Sequence, residues 1–313
     1  MKIRFNLTQL IAVIFFFGLL VIGSCKKEHS QSAADEEQAS MASSESDAEA
    51  EGIYDGFFDD AMGVSDEVGV AGSGVFYGRS NNTGDPVDLA RGDTLTPVAR
   101  CFTVTVTHPN TTPFPVRVVI DFGTAGCTGP DGHKRRGKII IEYTNRLIYP
   151  GAVATTTFDG FYIDEIKVEG THIITNTSSV NTTPPVRQYT IDVLDAKLTK
   201  PDGNFTEWTS HKTITQIEGV TTVNPRDDVF RIEGNGHGRV RRGTLLVAWE
   251  SAITEPLIKR FTCRWIVRGR IRTVRINATV NSPWVAVLDF GNGDCDNQAV
   301  ITINGRSHQI TLP

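Results

Sequence analysis

The chain has 313 residues, 39% hydrophobic and 8% aromatic, with 31 Lys and Arg against 36 Asp and Glu, for a net charge of −5. A field this weak is not built to hold nucleic acid. The charge is uneven: residues 25–68 hold 2 Lys against 13 carboxylates, whereas residues 69–313 hold 27 basic residues against 23 acidic ones. An acidic arm therefore precedes a mildly basic body.

The first element is a leader. MKIR supplies a basic start and LTQLIAVIFFFGLLVIG an apolar run, the form of a secretory signal over residues 1–24. The run is shorter than the roughly 20 apolar residues of a permanent span. Ile22-Gly23-Ser24-Cys25 resembles a bacterial lipobox, which implies cleavage before Cys25 and lipidation of its thiol. The expected partner is then a membrane, reached through acyl chains whose buried methylenes contribute ~0.8 kcal/mol each. Cys25-Lys26-Lys27-Glu28 loosely resembles the short charged signals that send Bacteroidetes lipoproteins to the cell surface, which favours the surface over the periplasmic face of the outer membrane.

Residues 25–51 read as a disordered acidic tether. The stretch EHSQSAADEEQASMASSESDAEAE has no aromatic or β-branched residue, so composition alone offers little apolar surface to offset ordering entropy. A flexible spacer of that length would span ~25–30 Å. Residues 52–98 read as a short helix followed by an extended connection. Ile53, Phe57, Ala61, Val64 and Val68 fall at helical spacing, which suits a helix packing on the body's edge, although Gly56 and Gly63 weaken it.

From residue 99 to residue 313 the pattern changes to β-branched alternation, as in CFTVTVTH, KIIIEYT, RQYTIDVLDAKLT and IRTVRINATV, broken by turn signals such as PDG, NGDCDN and NGR. The expected fold class is all-β: some 12 to 14 antiparallel strands in a sandwich, or two related β-sheet units, with pseudo-repeats around 100–150 and 236–313. Four triplets, Val168-Glu169-Gly170, Ile217-Glu218-Gly219, Ile232-Glu233-Gly234 and Val267-Arg268-Gly269, place glycine inside a strand pattern and predict bulges or bends.

Asp-Phe-Gly followed four residues later by Cys occurs twice, at Asp121 to Cys127 and at Asp289 to Cys295. A kinase magnesium loop is excluded by context, because no H-R-D stretch or Walker lysine accompanies it. Cys101, Cys127, Cys263 and Cys295 are an even set in an exported chain and predict disulfides. Of three connectivities, the repeat favours Cys101 with Cys127 and Cys263 with Cys295; a four-thiolate zinc site competes, though no C-x-x-C pair is present. Asp121 and Asp289 are expected to accept backbone N–H bonds at their turns. No cofactor is expected, with calcium at Asp289, Asn292, Asp294 and Asp296 as the competing reading.

Two binding features stand out. Arg264, Arg268, Arg270 and Arg272 share one face of a strand whose other face carries Trp265, Val267 and Ile271, giving a stripe suited to anionic groups, or to the acidic arm. Trp208, beside a Pro201-Asp202-Gly203 turn, is a candidate for stacking on a sugar ring, with core packing as the competing role. GHKRRG at 132–137 and GHGRVRRG at 236–243 echo one another as positively charged turns carrying His133 and His237. Nucleophile elbows and zinc-protease motifs are missing; Asp159, Asp164 with Glu165, and Asp227 with Asp228 are the carboxylates a glycosidase reading would use.

Lipobox, acidic spacer, DFG-x-x-x-C, GHKRRG and PDG-x-x-x-x-W together resemble a family of Bacteroidetes outer-membrane and surface lipoproteins, itself without an assigned activity. Asp93-Thr94-Leu95 is similar to the O-glycosylation sequon of that phylum. The expected function is a lipid-anchored, non-catalytic binding or structural module for a glycan or protein partner; the alternative is a cell-surface hydrolase acting on a polysaccharide or ester.

Overall fold

The computed structural model describes residues 24–67 and 101–312, apart from 130–131, 148, 180, 183–184, 222–226, 264 and 277–283, and apart from the side chains of 24–32, 59 and 63–67. The leader, most of the connection with Asp93-Thr94-Leu95, and Arg264 lie outside the described residues.

The body is all antiparallel β. Its fourteen strands run β1 (Thr103–Thr107), β2 (Val116–Asp121), β3 (Cys127–Thr128), β4 (Lys134–Tyr143), β5 (Val153–Ile163), β6 (Ile166–Asn176), β7 (Gln188–Thr199), β8 (Phe205–Glu218), β9 (Val229–Arg242), β10 (Leu245–Arg260), β11 (Ile266–Arg275), β12 (Ala286–Asn292), β13 (Gln298–Ile303) and β14 (Arg306–Thr311). They form one continuous sheet in which each strand pairs with its sequence neighbour, β3 alone lying off the path beside β4. The expected sandwich or pair of units is thus a single meander. Where the turns are tight, as between β5 and β6, β9 and β10 or β13 and β14, each strand has no nearer partner than the next one in the chain.

Alternation makes one face apolar and the other polar. In β8, Thr206, Trp208, Ser210, Lys212, Ile214 and Gln216 point inward and the residues between them outward. The outer face carries His211, Arg239, Glu250 and Arg270, charges built to meet water rather than lipid chains. Strands of 14 and 16 residues, well beyond the usual 5–6, must curl, and the pairing shows where they do. The register shifts at Gly170, between Glu169 and Thr171, and at Gly269, between Arg268 and Arg270. Both have positive φ, 122° and 118°. A Cβ on Gly170 would lie 2.7 Å from the Ala196 Cα, so no other residue fits that crossing.

The largest departure from expectation is the acidic arm. One helix, α1 (Ser24–Glu67), runs through both the tether and the short helix expected after it. Most of its described side chains from Ala39 to Met62 are buried, and the less buried ones, among them Met41, Glu45, Glu49, Gly52 and Gly56, follow one stripe along the helix. The strands curl about it: Glu37 meets Arg306 on β14, Phe57 meets Phe158 on β5, and the Tyr143 hydroxyl at the end of β4 donates to the Ala61 carbonyl. Composition predicted an open chain because it counted only what the segment buries on itself. Ala and Glu favour a helix, and the sheet supplies the apolar contacts that the segment lacks. Tyr54, Phe57, Phe58 and Ala61 join the central core, where each aromatic side chain contributes about 1.5–3 kcal/mol.

The cysteines pair as Cys101 with Cys127 and Cys263 with Cys295, with Cα separations of 5.5 and 5.7 Å. Each bridge flanks a DFG corner, one on β2 and one on β12, near the two ends of the sheet. The corners are built alike. Asp121 Oδ1 accepts the Gly123 amide at 2.8 Å and Asp289 Oδ1 the Gly291 amide at 2.9 Å.

Candidate functional site

The chemistry of the molecule is concentrated where α1 crosses the inner face of the sheet. Asp47, Glu51 and Asp55 are spaced i, i+4 and i+8 and so lie on one side of the helix. Each meets a different set of donors from the strands.

Asp47 is 2% exposed, and its Oδ1 accepts three hydrogen bonds: from Trp208 Nε1 at 3.0 Å, Trp249 Nε1 at 3.0 Å and Ser251 Oγ at 2.8 Å. The two indoles reach one oxygen because of what separates them. Trp208 on β8 and Trp249 on β10 both pair with Gly238 on β9, and a Cβ there would stand 2.7 Å from the Trp249 ring. The Gly-His-Gly of the echo motif is therefore an inward gap that admits two tryptophans. Such a carboxylate, taken from water and given three donors, is positioned strongly, and removing it strands the donors.

Glu51 pairs with Lys212, whose Nζ lies 4.8 Å from the centre of the Trp208 ring. Burial pushes the Glu51 carboxyl above its ordinary pKa, and the Lys212 charge opposes the rise. Asp55 Oδ2 accepts from Lys259 Nζ at 2.6 Å. His172, fully enclosed beside Tyr54 and Phe57, is held neutral: burial, reinforced by Lys212, takes its pKa down to about 3, against a smaller upward pull from Asp55. A cavity of about 10 Å³, room for roughly one water, remains between Asp47, Glu51, Trp208, Lys212 and Ser251.

Nearer solvent, Glu36 pairs with Arg275, Glu37 with Arg306, Glu45 with Arg242 and Glu49 with Lys200. Half-exposed pairs of this kind add at most about 1 kcal/mol each, so they fix register more than they hold the helix in place. Among the described residues eight buried side-chain polar atoms have no hydrogen-bond partner: Ser44 Oγ and Glu51 Oε1 on α1, and Thr156 Oγ1, His172 Nδ1, Ser210 Oγ, Thr273 Oγ1, Arg275 Nε and His308 Nε2 on the strands. The inner face is thus a basic and aromatic surface matched to an acidic helix.

The candidates read from the sequence divide between the two faces. Trp208 is 3% exposed beneath α1 and not at an open tip, because alternation from Phe205 turns it inward. Arg268, Arg270 and Arg272 point outward from β11, away from Trp208, and Arg270 binds Asp289 at 2.7 Å and Glu255 at 2.6 Å. The acidic arm does find basic partners, but they are inward or rim residues such as Lys212, Lys259 and Arg275 rather than that stripe. Cys25 lies in the first turn of α1.

Among the described residues no group of three or more His, Cys, Asp or Glu is arranged to hold a metal ion. Asp289 is committed to Arg270 and the Gly291 amide; partial burial works against its ionisation, but those two contacts hold its pKa below the usual carboxylate value. Asp296 accepts the Gln298 amide at 2.9 Å, while Asn292 and Asp294 are exposed in the same turn. The hydrolase carboxylates are also engaged: Asp164 with His133 and the Lys134 amide, Glu165 with Arg136, and Asp228 with Gln216. Asp159 stands on the exposed side of β5.

Sequence reasoning missed α1 as the heart of the site. The signals were present: carboxylates at 47, 51 and 55, and small residues at Ala39, Ala42, Ser43, Ser46 and Ala50. Small side chains on a helix allow close approach, and a carboxylate ladder among them asks for donors. Compared with protein-family models, with curated proteins and with solved structures, the chain matches none of them.

Proposed function

We propose that the protein is a lipid-anchored, non-catalytic envelope module, held to the outer membrane through Cys25 and presenting its β body to a protein or glycan partner. The observation that carries this reading is the continuity of α1. A helix that spans Ser24–Glu67 and places Tyr54, Phe57 and Phe58 in the core would join the expected lipid directly to the folded body, making tether and scaffold one element.

Seating α1 with buried carboxylates costs desolvation that a slack linker would avoid, and the cost makes sense where the body must be held in a fixed attitude to its anchor. With Trp208 engaged by Asp47, the surface offered to a partner is the outer face, from which Arg268 and Arg272 point toward anionic groups.

Metabolic labelling with an alkyne fatty acid tests the anchor. The wild-type chain should take the label and fractionate with the outer membrane, and Cys25→Ser should lose both. An unlabelled wild-type chain would overturn the reading. External protease added to whole cells separates the favoured surface orientation from the periplasmic one. For the partner, a glycan array and an envelope pull-down should show binding that is lost in Arg268→Glu/Arg272→Glu.

A further inference from the structure

Among the described residues the strand path runs from β1 to β14 with no ladder between those two, so the sheet has two edges, and they are built differently. The β14 edge carries Arg306, paired with Glu37 of α1. Charge on an edge strand discourages another strand from joining it. The β1 edge reads Thr-Val-Thr-Val-Thr, with no charge, proline or glycine, and every residue but Val104 is exposed. Its ladder runs without a register shift from Thr103 opposite Asp121 to Thr107 opposite Arg117, and β2 is its only strand partner among the described residues. An antiparallel strand gives about half of its backbone N–H and C=O groups to one neighbour, which leaves the other half of β1 directed outward along an unbulged edge.

The apolar rows of the inner face stop short at this edge. Ile139 on β4, Ile120 on β2 and Val104 on β1 lie opposite one another in one row, and Ile141, Val118 and Val106 in the next. The three isoleucines and Val118 are fully buried, but Val106, at the end of its row, is 39% exposed. A further strand with an apolar side chain opposite Val106 would complete the row.

The strand that fits is β1 of a second copy. Antiparallel pairing about a two-fold axis at Thr105 sets Thr105 opposite itself, Thr103 opposite Thr107 and Val104 opposite Val106. Each pair then joins like with like, threonines on the outer face and valines on the inner, with no charges opposed. The edge is also held in place beforehand. Cys101, two residues before β1, is tied to Cys127 on β3, which limits the ordering that pairing would cost.

We propose that the chain forms a two-fold dimer through β1, joining two fourteen-stranded sheets into one continuous sheet. A five-residue ladder is small against the roughly 1,200–2,000 Å² of a stable interface, so the dimer is weak in dilute solution. The pairing does not depend on the anchoring of Cys25, although confinement to one surface would raise the local concentration of the chain.

The test uses the full chain carrying Cys25→Ser, so that a cysteine introduced on β1 is the one thiol outside the two disulfides. Residues directly opposite across an antiparallel pair have Cα atoms about 4.5–5.5 Å apart, within reach of a disulfide, whereas Thr103 would stand about 14 Å from its own copy. Under mild oxidation Thr105→Cys should yield a covalent dimer. Thr103→Cys and Thr107→Cys should each stay monomeric alone and cross-link when mixed. Adding Val106→Lys to Thr105→Cys should cut the dimer yield about tenfold with thermal unfolding unchanged, because an exposed edge position then carries charge. No covalent dimer from Thr105→Cys, equal dimer from all three single cysteines, or a yield insensitive to Val106→Lys would each overturn the proposal. So would wild-type species larger than a dimer in sedimentation, since pairing of β1 with β14 would run head to tail without closing. Each of these results leaves the lipid labelling of Cys25, and the anchoring it tests, untouched.

Discussion

Carboxylates at the DFG corners and carboxylates on α1 are held in opposite ways. Asp121 and Asp289 sit near water, each accepting an amide two residues ahead, with one surface cation, Lys138 or Arg270, as a further partner from the neighbouring strand. Asp47, Glu51 and Asp55 are met by residues more than 150 positions away: Trp208, Trp249, Ser251, Lys212 and Lys259. A corner carboxylate is a local turn device. An interior carboxylate is a statement about the whole fold, and its loss should cost more.

The sharpest break of this comparison is Asp47→Ala. It leaves two indole N–H groups and a hydroxyl without their acceptor, and stability should fall by about 3–5 kcal/mol in urea unfolding followed by tryptophan fluorescence. Asp47→Asn, which keeps an acceptor oxygen, should cost less. A loss below about 1 kcal/mol for the alanine variant would show that α1 is not held where the contacts place it.

Removing one staple is next in size. Cys263→Ser/Cys295→Ser should lose about 3–4 kcal/mol, the loop-closure contribution for a separation of 32 residues. Peptide mapping without reductant should recover Cys101 joined to Cys127 and Cys263 joined to Cys295; bound zinc with four free thiols would reverse that assignment.

Acid should weaken the interior before the corners. His172 has a folded pKa of about 3 against an ordinary value near 6.5, so below pH 6.5 the unfolded chain binds a proton that the native chain refuses. Its contribution is complete above pH 6.5 and is lost as pH falls toward 3, at up to about 1.4 kcal/mol per pH unit. Glu51 works the other way, since its raised pKa relieves a penalty as it protonates. The difference between wild type and His172→Gln, followed across that range, isolates the histidine, and parallel curves would rule out its burial as a neutral ring.

Smallest of all, Asp121→Ala and Asp289→Ala should each cost about 1 kcal/mol or less, because water replaces a half-exposed acceptor at little cost. A corner variant as damaging as Asp47→Ala would erase the distinction between the two regions.

The strands from Thr103 to Thr311, the glycine bends and the cysteine corners were legible because each rests on neighbours in sequence. Alternation, turn residues and a repeated spacing need no knowledge of distant partners. Trp208 and α1 were not legible in the same way. Whether Trp208 stacks on a ligand or lies under a helix depends on which face of β8 is covered, and whether residues 25–51 fold depends on a cavity built by strands far downstream.

By itself, the sequence determined the all-β class, the places where strands bend, and the local chemistry of the DFG turns. The tertiary structure decided that the fourteen strands form one curled sheet, that the acidic arm is its core, and that the arginine stripe and Trp208 lie on opposite faces. The reason is physical. An alternating strand specifies two faces but not what covers them, and an acidic, alanine-rich segment offers a helix that only a matched interior can hold in place.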